Sequence, residues 1–558
     1  MIKALLFLFV STLLLAKTED TCYTVQLTSF KLKKNSTYNF AAHNYPDSCR
    51  LIRIKSLHTV RCGCYDRYAE ARKEQKELAK TYKNTVILRT YKYRFKKKYN
   101  SQQVIFKQNV QPTKVQIKTI RRPQKTENTT KAKPEKKSDV HITIVQEEEQ
   151  KTEPEPIKKE SFGNFMSYGG NINLITQSYL IAPKDKNPEN ITLNANLEAA
   201  YQKEALKVAG KVRLQQDFND IEEGAKKTHR SYMRVDELYG RYDLENGQVL
   251  AGKNLRFWGA LEVRNIADVF NPYDLRADPF YKTKLGVINA EYTQYTQTGE
   301  FSFIVQLYEQ PREMSAYPYV YYYFPKNVKY SKDLKTQSGR YRPNFYLKYA
   351  DTYEGEGYSL DFAIILQNGY DSQRYYTTHM TANNEVETNE HAYLVNKFIT
   401  YDTLVSGATL YKLEAIYADV LNNEQISDYT HLGLGIEHTI PQIYKEADLG
   451  LLAEYYRYHT FDGSKRDDLE LFEVFQNDLF LGLRYSFNKG NDSSIVGGGI
   501  FDLDYSEYIY YLEYKTRIAD SYKINFDYRY IEPSKSKPTV FNLMGRHERL
   551  SLKISYYF

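Results

Sequence analysis

The last nine residues set Leu550, Leu552, Ile554, Tyr556 and Phe558 on alternate positions against Ser551, Lys553, Ser555 and Tyr557. Successive side chains of an extended chain point to opposite faces, so this spacing predicts a strand that is apolar on one face and polar on the other. The same period of two recurs from Ser161 onward, for example over 192–197, 206–214, 301–307, 358–364, 431–436, 479–485 and 523–530. Gly, Asn and Asp turns separate about 16 to 18 such segments between 161 and 558. The expectation is a mainly β chain with a transmembrane antiparallel β-barrel, apolar toward lipid and polar toward an aqueous lumen. A barrel of that size is too wide for its own side chains to fill and leaves a channel.

A strand of a soluble sandwich alternates in the same way, and the beginning of the chain tells against that alternative. Met1-Ile-Lys3 is a short basic start, Ala4 to Leu15 is apolar, and Ala16 is small, so residues 1–16 read as a secretory signal peptide. No later apolar run approaches the roughly 18 residues of a membrane helix. A chain that enters a membrane without helices does so as a closed barrel. The terminal pattern also resembles the C-terminal assembly signal of bacterial outer-membrane barrels, carried here by Ile554, Tyr556 and Phe558. That resemblance implies the outer membrane of a Gram-negative bacterium, with outer-membrane lipid and the barrel assembly machinery as partners.

Composition supports the division once charge is assigned by region. The chain is +8 overall, yet residues 17–95 hold 17 Lys and Arg against 7 acids and residues 96–137 hold 13 against 2, leaving 138–558 net acidic. The basic charge is therefore an N-terminal arm, and no nucleic-acid partner is expected. The chain has 54 Tyr and one Trp, a density of amphipathic rings that suits the two interfacial girdles of a membrane barrel.

Residues 17–95 predict a small α+β domain in the order βαββαβ. Cys22 to Phe30 alternates, Lys34 to Tyr45 has helical spacing, 50–55 and 59–65 form a hairpin, 67–82 is a strong helix, and 85–91 is the closing strand. Tyr23, Val25, Gln26, Ser29 and Phe30, followed by Val60, Arg61, Gly63 and Ala69-Glu70-Ala71, resemble the SPOR (sporulation-related repeat) domain. The resemblance implies a periplasmic domain that binds peptidoglycan glycan strands on an exposed sheet face, with Gln26, Ser29, Arg61 and Tyr65 at the carried-over positions. Gln and Ser offer donors and acceptors to sugar hydroxyls, and Tyr adds a flat apolar surface. The chain departs from that pattern at His58, Cys62 and Cys64, and in placing the domain first.

Cys22, Cys49, Cys62 and Cys64 are the four cysteines, all in this domain. A small exported domain favours disulfides, and three connectivities are possible. Cys49 opens one hairpin strand and Cys64 ends the next, which leans toward Cys49 with Cys64 and Cys22 with Cys62. A metal site on the Cys-x-Cys pair and His58 lacks a second spaced ligand pair, so no metal or cofactor is expected. Residues 96–160 read as a disordered, charged linker, basic first and acidic after 146.

One segment of the barrel region does not alternate: 252–259, with the only Trp, followed by 264–274 and by Arg276, Asp278 and Pro279. Its Trp-Gly, Asp and Asn-Pro-x-Asp order resembles a stretch in a family of porin-like outer-membrane proteins of proteobacteria. A loop carrying Arg264, Asp268, Asp274, Arg276 and Asp278 can fold inward and set a transverse field that narrows a pore. A rim loop held by Asx and Pro turns is the alternative. Arg230, Arg234 and Arg256 share parity with the polar side of nearby strands, as a basic lumen patch opposite these acids. No Ser-His-acid spacing, Walker loop or His-Glu-x-x-His occurs, so no catalytic residues are assigned. The functional expectation is passive diffusion of small hydrophilic solutes through a barrel tethered to the cell wall. A non-conducting anchor and an adhesin are the alternatives.

Overall fold

The computed structural model describes residues 21–30, 45–54, 57–65, 68–82, 85–91 and 166–558, the last apart from 222–226, 297, 356, 466–473, 489–490, 520 and 537–538. The signal peptide, the linker and the first helix of the small domain lie outside the described residues, except for Tyr45. The chain divides into two units, Met1–Thr143 and Ile144–Phe558.

In the first unit, β1 (Thr21–Phe30), β2 (Cys49–Ile54), β3 (Leu57–Tyr65) and β4 (Val86–Tyr91) form an antiparallel sheet in the order β2-β3-β1-β4. Helix α1 (Tyr68–Leu78) joins the last two strands. This is the strand order of a split βαβ unit. Its core is Val25, Leu27, Leu51, Val60 and Leu78, with Cys49 and Cys62. The disulfides are Cys22–Cys64 and Cys49–Cys62, which corrects the pairing favoured from the hairpin ends. The turn falls after Ile54, so the register sets Cys49 directly opposite Cys62. Cys64 lies beyond the end of β2 and reaches Cys22 on β1, with Cα atoms 5.2 Å apart. Both sulfurs of the Cys-x-Cys pair are thereby spent on disulfides.

In the second unit, eighteen antiparallel strands among the described residues form a closed barrel, from Met166–Ile181 to His547–Tyr557. The first and last strands pair antiparallel, with Ile554 opposite Leu174 and Tyr556 opposite Ile172. Phe558 extends this seam, exchanging two backbone hydrogen bonds of 3.1 Å with Gly170. A Cβ at Gly170 would lie 2.3 Å from the Asn196 carbonyl oxygen, so only glycine fits that step of the seam. Closure leaves no edge strand and pairs the ladder all round.

Exposure along the strands is inverted relative to a water-soluble protein. On the first barrel strand Ile172 is 43% and Leu174 40% exposed, while Asn171 and Asn173 are each 2% exposed. Leu193, Leu197, Phe301, Phe303, Leu434, Ile436, Leu481, Leu483, Leu512 and Leu552 continue the apolar outer face. Opposite parity gives Asn194, Asn196, Glu291, Thr293, Ser302 and Lys397 inside. Aromatic pairs flank this band at both ends. Phe301–Tyr349 at 4.6 Å and Tyr522–Tyr556 at 5.1 Å lie toward the end with short turns. Tyr510–Tyr530 at 6.2 Å and Tyr417–Phe461 at 6.1 Å lie toward the other end. Among the described residues no helix is long and apolar enough to cross a membrane.

The two barrel ends differ. One carries tight turns such as Glu204-Ala205, Gly407-Ala408 and Lys445-Glu446, each with its first residue at positive φ. The other carries the loops 255–286, 307–343 and 371–393. The last two share a three-stranded sheet of Val328–Thr336, Val386–Ala392 and Tyr375–Met380.

Two outcomes are expected. Mass mapping of the non-reduced chain should recover Cys22–Cys64 and Cys49–Cys62. Leu481→Arg, in the middle of an outer face, should destabilise a lipid-refolded barrel by about 2–4 kcal/mol in urea titration, as a cation at the bilayer midplane does.

Candidate functional site: a loop across the barrel lumen

An eighteen-strand wall cannot fill its interior with its own side chains. Here the filling is done by loops. Residues 255–286 leave the strand Gly247–Asn254, cross the lumen and return to the strand Val287–Tyr295. Trp258 and Phe270 pack at 5.3 Å and meet Tyr346 at 5.7 and 5.2 Å. With them, Ile304, Ile365, Ile399 and Ile416 form one apolar cluster on the inner wall. A second cluster joins Leu261 and Ile266 of the loop to Tyr319–Tyr321 of the loop 307–343 and to Phe480, Ile500 and Ile531 of the wall. Val540, Phe541 and Met544 complete it from a short helix, Val540–Met544.

Part of the inner wall therefore changes character along its length. On three of its strands the inward side is polar toward the short turns and apolar nearer the loops: Ser302 precedes Ile304, Lys412 precedes Ile416, and Lys348 lies on the short-turn side of Tyr346. A cavity of about 280 Å³ lies on the polar side, lined among others by Glu237, Arg241, Arg256, Glu291, Glu300 and Lys348.

The charged residues singled out from the sequence all meet this loop, but in a different arrangement from a basic patch facing acids. Arg230 and Arg256 lie outside the strands, so strand parity does not place them. Arg230 pairs with Asp217 at 2.6 Å and lies 3.9 Å over the Tyr319 ring. Arg234 bonds Asp236 and Asp274, and Arg256 pairs with Glu291. Arg276 doubles onto Asp274 at 2.9 and 3.0 Å and stacks 3.6 Å over Tyr232. Asp268 takes Lys284 at 2.5 Å and the Trp258 N–H at 3.2 Å. Asp278 receives Arg529 at 3.3 Å and also Arg549. Arg264 donates its N–H to the Tyr456 hydroxyl at 3.0 Å and places its guanidinium 5.5 Å from the Tyr273 ring. A transverse field needs charges separated across water. The ion pairs named here are at contact, so they fasten the loop instead.

Burial alone would raise the Asp274 and Asp278 carboxyls. The Arg276 hydrogen bonds and charge, joined by Arg234, hold Asp274 below its ordinary value, and Arg549 and Arg529 do the same for Asp278. A carboxyl lowered in the folded state lends stability above its unfolded value of 3.8 and loses it as pH falls further. The loop is thus held across neutral and mildly acid pH.

The alternating pattern did not single out Glu414, Glu454, Tyr456, Asp527, Arg529 or Arg549, all of which hold the loop from the wall. Their only sequence signal is inward parity on a strand, which many other polar residues share.

On the first unit, Gln26 and Arg61 are cross-strand partners, and the Arg61 Nε donates to the Gln26 Oε1 at 3.2 Å. Arg61 is buried, at 7% exposure, in place of the open position the glycan reading expects. Ser29 pairs with Thr59, further along the same two strands. Tyr65 belongs with α1 instead: burial and the neighbouring Glu74 push its phenol up to about 12. Among the described residues no group of three or more His, Cys, Asp or Glu is arranged for a metal ion.

Asp278→Asn would take its carboxylate from the buried Arg529 and leave Arg549 with Asp527 alone, a loss expected to cost about 3–5 kcal/mol. Urea titration of the refolded barrel, read by tyrosine fluorescence, checks it.

No family model matches the chain, and no curated protein matches it. Solved structures similar to it include a BenF-like porin from Pseudomonas fluorescens, at 10% identity and TM-score 0.44, over 71% of this chain and 98% of that one. OccK8 (OprE) of Pseudomonas aeruginosa is similar at 8% identity and TM-score 0.43, over 70% and 98%. OmpT of Vibrio cholerae is similar at 11% identity and TM-score 0.36, over 72% and 100%.

Proposed function

We propose that the second unit spans the outer membrane and passes small hydrophilic solutes through a lumen narrowed by the loop 255–286. The observation that carries this reading is the inverted wall, with leucine, isoleucine and aromatic rings outside and amides, hydroxyls and paired charges inside. Only a lipid surrounding makes that exterior stable, and only water or polar solute suits the lined half of the interior. The cavity of about 280 Å³ is at the small end of ligand-binding cavities. Its mixed Glu, Arg and Lys lining suits zwitterionic or polyhydroxyl solutes better than a solute of one strong charge. The first unit is read as a periplasmic domain that holds peptidoglycan glycan strands, on the strength of the SPOR-like residues and the split βαβ strand order. Phe558 at the seam is read as the end taken by the barrel assembly machinery.

A second reading is a closed barrel that only anchors membrane to wall. It is favoured by the two apolar clusters that fill the lumen at loop level. Planar-bilayer recording of the refolded full chain separates the two. The channel reading expects discrete openings of smaller conductance than an open porin of like strand number, and silence under conditions where such a porin conducts supports the anchor. For the first unit, Gln26→Ala with Ser29→Ala should lower retention on denuded peptidoglycan several-fold. Equal retention of both proteins would remove the glycan face.

A further inference from the structure

The tip of the lumen loop is held to the far wall by its backbone. Glu414, on the strand Thr409–Leu421, accepts through one oxygen from the Ala260 and Leu261 N–H groups at 2.6 and 2.8 Å. Its other oxygen accepts from the Ala267 N–H at 2.8 Å. Glu454, on the strand Ala447–Thr460, accepts from the Glu262 N–H at 2.6 Å and the Val263 N–H at 3.0 Å, one on each oxygen. The Tyr456 hydroxyl donates to Glu454 at 2.6 Å and accepts from the Arg264 N–H at 3.0 Å. Six backbone N–H groups, those of 260–264 and 267, thus end on three wall side chains. Glu414 and Glu454 are buried, and among the described residues their hydrogen-bond partners are backbone amides, Asn265 and Tyr456, with no Lys or Arg. The nearby Lys412 directs its ammonium to Glu437 and Glu262.

We propose that Glu414 and Glu454 are a latch: together they fasten the loop tip across the lumen, and their release lets the tip leave the wall and widens the bore. The site suits a carboxylate, since both oxygens of each glutamate accept from backbone N–H groups. A glutamine of equal volume would turn an N–H₂ group toward a backbone N–H. The chain packs tightly at the start of the tip. Gly259, just before the fastened amides, is at φ 156°, and a Cβ there would lie 2.7 Å from Asn265. The chain enters the loop from the wall at residue 254 and rejoins it at 287, and the return arm is held by Asp278 and Tyr281, so a freed tip stays tethered on that side of the barrel.

The effect on bore rests on the channel reading, whereas the fastening does not. The test uses the full chain in lipid vesicles, as wild type, Glu414→Gln, Glu454→Gln and the double variant, with heat-resistant gel mobility as the control for folding. Amide hydrogen exchange is read over 258–268, and vesicle swelling is read in neutral polyols of graded size. The double variant should exchange ~10-fold faster or more at 260–264, as expected for losing charge-assisted bonds, and should admit larger polyols than wild type. Tyr456→Phe, which removes one acceptor and no charge, should give a smaller change of the same kind. Unchanged exchange in a folded double variant overturns the latch. Faster exchange with no polyol passing in any of the proteins overturns the channel reading and the widening, while the fastening stands.

Discussion

The constraint on which this structure depends is that a backbone surrounded by hydrocarbon must find all of its hydrogen bonds within itself. A sheet meets that demand only by closing. Closure sets the role of the seam, where Gly170 and Phe558 exchange two bonds and Ile554 faces Leu174. It also sets the alternation that runs through the second unit, because each strand then has one face toward the surroundings and one toward the lumen. Ile172 and Asn173 are neighbours in sequence and belong to different solvents.

Closing eighteen strands creates a second problem, an interior too wide for wall side chains to meet. The loop 255–286 answers it by carrying its own apolar residues, Trp258, Leu261, Ile266 and Phe270, to an inner wall that turns apolar at the same level. The ion pairs around Asp274 and Asp278 then hold the return arm, while Glu414 and Glu454 hold the tip. Buried ion pairs and apolar packing thus work side by side at loop level, and the cavity is lined mainly by charged and polar side chains.

The fold was largely legible because its rule is local. Period-two alternation at 192–197, 431–436 or 523–530 needs no knowledge of the partner strand, and each of these lies in an observed strand. The interruption at 252–274 was legible for the same reason, as a failure of alternation. What was not legible depends on register or on distant contact. The disulfide pairing turned on where one hairpin bends, since a turn after Ile54 sets Cys49 opposite Cys62. The arginines at 230, 234 and 256 were visible as basic residues, but their carboxylate partners are set by three-dimensional closeness, and those partners change a supposed field into fastenings. Glu414 reaches amides about 150 residues earlier in the chain, and nothing in its neighbours Leu413 and Ala415 announces it.

The claim beneath all of this is that the outer face of the barrel meets lipid. Spin labels placed singly at each position from 191 to 197, on the strand Glu189–Lys203, test it in refolded vesicles, since the four cysteines are held in disulfides. Collision with dissolved oxygen should peak at 191, 193, 195 and 197 and fall at 192, 194 and 196, a period of two with its maxima on the apolar positions. Equal exposure to a water-soluble nickel chelate at both sets of positions would contradict a lipid-facing wall, and with it the barrel as a membrane-spanning structure.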